Sequence, residues 1–189
     1  MAASLTGVFR AMAHNNAWAN HRLLSACLAL DEAAFHAPRV SFFPSLAATL
    51  NHNLVVDWFY VDALEGGSLG YAAFEDEIPC RAPAALHAEQ RAVDDRLIAV
   101  CDALTDETLD GEARVQRDGR VQVERRDRLL LHLFEHQIHH RGQAHAMLSG
   151  TSVAPPQLDE FFSAGEAPLR AAEFAQLGWT EDHIWRPEP

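Results

Sequence analysis

Leu131-His132-Leu133-Phe134-Glu135-His136-Gln137-Ile138-His139-His140-Arg141-Gly142-Gln143 is the stretch on which the fold turns. Four of the chain's eleven histidines fall within it. At about 100° per residue, with His132 at zero, His136 lies near ~40°, His140 near ~80°, His139 near ~340° and Gln143 near ~20°. A helix therefore gathers all five on one arc of roughly 100°. The helix is expected from about Arg126 to Leu148, with Asp127 favouring its start and Gly150 its stop. His136 and His140 form an i, i+4 pair, the spacing at which two imidazoles on one helix can ligate a single ion.

Three more segments carry helical periodicity. About Leu5 to Leu30 places Val8, Met12, Trp18, Leu23, Cys27 and Leu30 near a 3.6 period. About Ser45 to Leu64, entered after Pro44 and stopped by Gly66-Gly67, places Leu46, Leu50, Leu54, Val55, Trp58 and Val61 likewise. The third begins after Pro83, carries Leu86, Val93, Leu97, Val100, Cys101 and Leu104, and breaks at Thr105-Asp106. Before the fourth helix the period changes to two: Val115 and Arg117 alternate up to Asp118-Gly119, and Val121 and Val123 after it, which is a hairpin. After Gly150, Val153-Ala154-Pro155-Pro156 cannot continue a helix, and a tail bearing Phe161, Phe162, Trp179 and Trp185 is expected to lie back over the helices. The expected fold is all-α: an antiparallel four-helix bundle with a small β-hairpin between helices 3 and 4, one domain over residues 1–189 with its tail at about 151–189.

Composition narrows the function. The 189 residues include 27 acidic and 15 basic side chains, for a net charge of −12, which repels nucleic acid and anionic membrane surfaces. All the basic residues are Arg; without Lys there is neither a Walker-A phosphate loop nor a Schiff-base mechanism. Cys27, Cys80 and Cys101 are odd in number, far apart and form no CxxC pair, which fits a reducing cytoplasm. Arg10, His14, Asn15, Asn16, Asn20 and Arg22 interrupt the first thirty residues, so no signal peptide is expected there, and no run reaches the roughly 20 apolar residues of a membrane span.

Several imidazoles on one face are costly to bury unless a cation or hydrogen-bond partner satisfies them, so the histidine arc reads as a metal site. A third ligand must come from His14, His21, His36, His52, His87 or His145. His145 faces the far side of its helix and His87 sits among polar neighbours, expected exposed. His52, between Leu50 and Leu54, needs an inward partner and is preferred, with His14 second. No acidic residue precedes a His by three, which excludes the carboxylate-bridged di-iron bundle, and His-Glu-x-x-His is absent. Gly66-Gly67-Ser68-Leu69-Gly70 matches the nucleophile-elbow pattern but follows a helix instead of a strand, and is read as a loop.

Asn16-Ala17-Trp18-Ala19-Asn20-His21-Arg22-Leu23-Leu24, Leu50-Asn51-His52-Asn53-Leu54-Val55-Val56-Asp57-Trp58 and the His132 to Gln143 stretch together resemble the DinB family. The resemblance covers most of the chain to about residue 150, and Pro155-Pro156-Gln157-Leu158-Asp159 also looks familial. It implies one metal ligand from the second helix and two, four apart, from the fourth, matching His52, His136 and His140. It further implies a divalent-metal enzyme of thiol-S-transferase-like or hydrolytic type, a low-molecular-weight thiol as cosubstrate, a small-molecule substrate and a homodimer. One ion per chain is expected, Zn or Ni first, with Fe, Mn, Co or Cu also accommodated by imidazole. His132, His139 and Gln143 are candidates to orient a ligand or move a proton. Arg141 is expected to pair with a carboxylate on another helix, and Gly142 to mark close packing. A non-catalytic metal or small-ligand binding bundle and a structural dimeric bundle with a polar histidine seam are the alternatives.

Overall fold

The computed structural model describes residues 4–185. Its helices are α1 (Leu5–Cys27), α2 (Glu32–His36), α3 (Leu46–Glu65), α4 (Pro83–Asp102), α5 (Asp106–Asp110), α6 (Arg126–Leu148), α7 (Ala167–Leu177) and α8 (Glu181–Trp185). Strands β1 (Glu112–Arg117) and β2 (Arg120–Arg125) form the one sheet among the described residues. The long helices start and stop for local reasons. Ser4 and Ser45 accept from the amides of Gly7 and Ala48 to cap α1 and α3, Pro83 opens α4 where an amide would go unpaired, and Gly66 ends α3 at φ 86°.

α1 packs on α4 and α6, and α3 on α6 and α4. Between them lies an apolar core that includes Leu23, Leu46, Leu54, Val61, Leu86, Leu97, Leu130 and Leu133, each at most 1% exposed. β1 and β2 are antiparallel with Arg117 opposite Arg120 across Asp118-Gly119, and Gly119 takes the positive φ of 65° that the turn requires. Ala113 and Val115 of β1 are buried while Val121 and Val123 of β2 stay exposed, so only the first strand joins the core.

The four long helices also share a buried polar network. Arg141 of α6 donates through Nη1 to Asn16 Oδ1 at 2.7 Å and Asn20 Oδ1 at 2.9 Å on α1. The same two asparagines donate to Asp94 of α4, and Gln90 donates to both Asp94 and Asp57. Gln137 of α6 closes the set by donating to Asp57 Oδ1 at 2.6 Å and to the Asn53 carbonyl. Burial raises Asp57 and Asp94 above the ordinary carboxylate range and lowers Arg141 to about 10. Arg141 therefore reaches the carboxylates through asparagine amides instead of pairing directly, because its side chain enters the core where Asn16 and Asn20 stand first. Gly142 is exposed, and a methyl there would meet nothing within 4 Å, so the expected close packing does not occur.

The tail is structured. Phe161 is fully buried against Trp18, with ring centroids 5.6 Å apart, and Phe174 and Ile184 join that second cluster. Arg22 lies over the Trp18 ring and bonds Glu160, Glu173 and the carbonyls of Gln157 and Leu169. Phe162 and Trp185 remain about half exposed. Helices α7 and α8 escaped the periodicity reading; α7 carries Pro168 in its first turn and ends at Gly178, φ 76°.

Candidate metal centre

α3 carries His52 and α6 carries His136 and His140, and these three rings converge. One nitrogen from each lies within 4.8 Å of the other two. His52 Nε2 and His136 Nε2 are 3.0 Å apart. Ring centroids are 4.9 Å apart for His52 and His136, 4.8 Å for His52 and His140, and 4.5 Å for His136 and His140. The last distance follows directly from the i, i+4 step on one helix.

The protonation states suit a ligand set. Burial, then the neighbouring imidazoles, hold His136 down to about 3; burial and His140 hold His52 down to about 4. Burial also lowers His140. All three are neutral at pH 7, so each has a lone pair to give. His140 donates from Nδ1 to Gln143 Oε1 at 2.8 Å, which leaves its Nε2 lone pair free. Gln143 in turn donates from Nε2 to His139 Nε2 at 3.1 Å. His136 Nδ1 is buried with no partner among the described residues. Two Nε2 atoms facing each other across 3.0 Å share at most one proton, and a cation between them and His140 satisfies the donor set better than a proton does. The residues present fit a divalent ion.

The surroundings are apolar on one side and polar on the other. Phe43, on the segment leading into α3, tilts over His52 at 4.4 Å between centroids and over His140 at 5.4 Å. Phe42 beside it is exposed and 6.4 Å from His140. His132 is exposed, edge-on to Tyr60 at 5.4 Å and 6.4 Å from His136. Tyr60 accepts from Arg117 Nη2 at 3.2 Å, which links the hairpin to the rim.

The other histidines stand elsewhere. His14 is fully buried in α1 and grouped with Asp102 and His183. His87 is half-buried and not exposed, because its Nε2 meets His21 Nδ1 at 3.3 Å across α1 and α4. His36 and His145 bond backbone carbonyls, of Arg81 and Pro156. The three cysteines are buried thiols, and burial pushes Cys27 and Cys101 up to about 12, which makes them poor nucleophiles at neutral pH. Sequence reading missed the Phe42-Phe43 cover and the buried network; the i, i+4 pairs Asn16/Asn20, Gln90/Asp94 and Gln137/Arg141 were the available signal for the second. No helix among the described residues is long and apolar enough to cross a membrane.

The sequence pattern of the DinB family matches residues 1–171. In structure the chain is similar to a DinB-like protein from Bacillus cereus, with a TM-score of 0.59 and 16% identity, over 76% of this chain and 91% of that one. At that identity the likeness is one of fold. No curated protein matches the chain.

Proposed function

The chain belongs to the DinB family, and from that premise we propose a divalent-metal enzyme whose ion is held by His52, His136 and His140 and whose reaction is thiol-S-transferase-like or hydrolytic. The observation that carries this reading is the convergence of three neutral imidazoles from two helices, each with a lone pair to give, within 4.8 Å. One ion per chain is proposed, Zn or Ni first and Fe, Mn, Co or Cu after them. Bound there, such an ion supplies Lewis acidity toward a thiol or water.

The chain's own residues do the rest. Gln143 fixes the His140 ring by accepting a hydrogen bond from its Nδ1–H. Phe43 excludes water from one side of His52 and His140, which favours a low-molecular-weight thiol over water as the nucleophile. His132 and His139, exposed at the rim, are placed to take or return a proton from a small-molecule substrate. The proposed frame is an antiparallel four-helix bundle in a single domain spanning 1–189, acting as a homodimer in the cytoplasm.

The test is turnover. Metal-loaded protein incubated with low-molecular-weight thiols and electrophilic acceptors should consume thiol, and His136→Ala should lose that activity. Stoichiometric metal with no turnover across thiol and ester substrates would instead make this a binding bundle.

A further inference from the structure

We infer that His14, Asp102 and His183 form a second metal site, which takes a divalent ion of the zinc class and clips the C-terminal segment onto α1 and α4. The three residues come from α1, α4 and α8, and one donor atom of each lies within 4.8 Å of the other two. This group shares no residue with the three-histidine centre.

His14 carries the argument. Its side chain is fully buried, and its Nδ1 donates to the Arg10 carbonyl at 3.0 Å, which leaves the lone pair on Nε2. That Nε2 is buried with no hydrogen-bond partner among the described residues. A buried acceptor left unmatched is rare, and it asks for a partner. Asp102 and His183 stand near it without supplying one. Asp102 Oδ1 is taken by Arg10 Nε at 2.9 Å, while Oδ2 faces His183 Nε2 at 3.7 Å, beyond hydrogen-bond distance. One donor atom from each residue thus lies within 4.8 Å of the other two, with no hydrogen bond between the three side chains.

Two imidazole nitrogens and one carboxylate oxygen suit zinc-class ions and not Ca²⁺ or Mg²⁺, which take oxygen ligands. Arg10 orients the carboxylate from behind, the part that a hydrogen-bond donor plays around many metal ligands. Ile184, buried next to His183, and Trp179, edge-on to His14 at 4.9 Å, already seat the segment that brings the third ligand. An ion there would join the middle of α1 and the last residue of α4 to a segment that follows α6 by more than thirty residues.

The experiment is a zinc titration of untagged, chelator-stripped protein, counting equivalents bound and following tryptophan emission. His183 is 55% exposed, so His183→Ala removes the ligand without disturbing the core. His183→Ala and Asp102→Asn should each bind one equivalent fewer than the unmodified chain, and a zinc-induced emission change from Trp179 should be missing. His136→Ala should lose a different equivalent and keep that emission change, which separates this site from the three-histidine centre. Equal stoichiometry and equal emission response in the unmodified chain and His183→Ala would overturn the inference and leave an ordinary His183–Asp102 surface contact.

Discussion

At the scale of the residue, a histidine is defined by which nitrogen is free. His140 has its Nδ1 committed to Gln143, and His14 its Nδ1 committed to a backbone carbonyl, so both present Nε2. His52 and His136 are held neutral mainly by burial. Their folded values, about 4 and about 3, lie below the value near ~6.5 of an unfolded chain, so the unfolded chain takes up protons first on acidification. Their contribution to stability is complete above pH ~6.5 and is lost as pH falls through the folded values. Ring NMR of metal-free protein should therefore find both imidazoles neutral at pH 5; protonation of either near pH 6.5 would contradict the burial argument. The ligand pair His136 and His140 was legible from spacing alone, since an i, i+4 step on a helix fixes proximity. Nothing in the sequence placed Phe43 over them, because a residue ahead of a helix is positioned by the chain's path and not by periodicity.

At the scale of the element, each long helix carries two stripes, one apolar and one polar, and both are buried. Asn16 and Asn20 on α1, Asp57 on α3, Gln90 and Asp94 on α4, and Gln137 and Arg141 on α6 meet in the middle of the molecule. Such a network does little for net stability but penalises wrong helix pairings, since any slip strands a buried charge. Arg141→Leu would leave Asp94 and Asp57 uncompensated and two asparagine oxygens unpaired, and should cost about 3–5 kcal/mol by urea denaturation. A cost under about 1 kcal/mol would mean that the carboxyls are protonated and the arginine is dispensable. The helices themselves were readable from apolar period, from Pro44, Pro83 and Asp127 near their starts, and from terminating glycines. The network was not, because Asn, Gln and Asp inside a helix read as surface until the neighbouring helix is known. The same gap explains His87 and Gly142: one acquires His21 across the helix pair, the other faces solvent.

At the scale of the whole molecule, the polar network runs from α1 and α4 to Gln137, the residue next to His136, and to the backbone of Asn53, the residue next to His52. The centre thus sits at the edge of a rigid interior, which suits a site that must hold three rings in fixed register. The tail closes the other side of α1 through Arg22, Phe161 and Ile184. Its aromatic residues announced a cover in the sequence; its two helices did not, because Pro155-Pro156 and short apolar spacing hide them from a periodicity reading. His52, His136 and His140 are proposed to hold one ion. The most direct measurement is elemental analysis of untagged protein purified without nickel resin, beside His52→Ala and His136→Ala. Each variant should carry one equivalent of divalent metal fewer than the unmodified chain. Metal content unchanged by both substitutions, or an unmodified chain that stays empty after incubation with zinc, nickel or manganese, would contradict it.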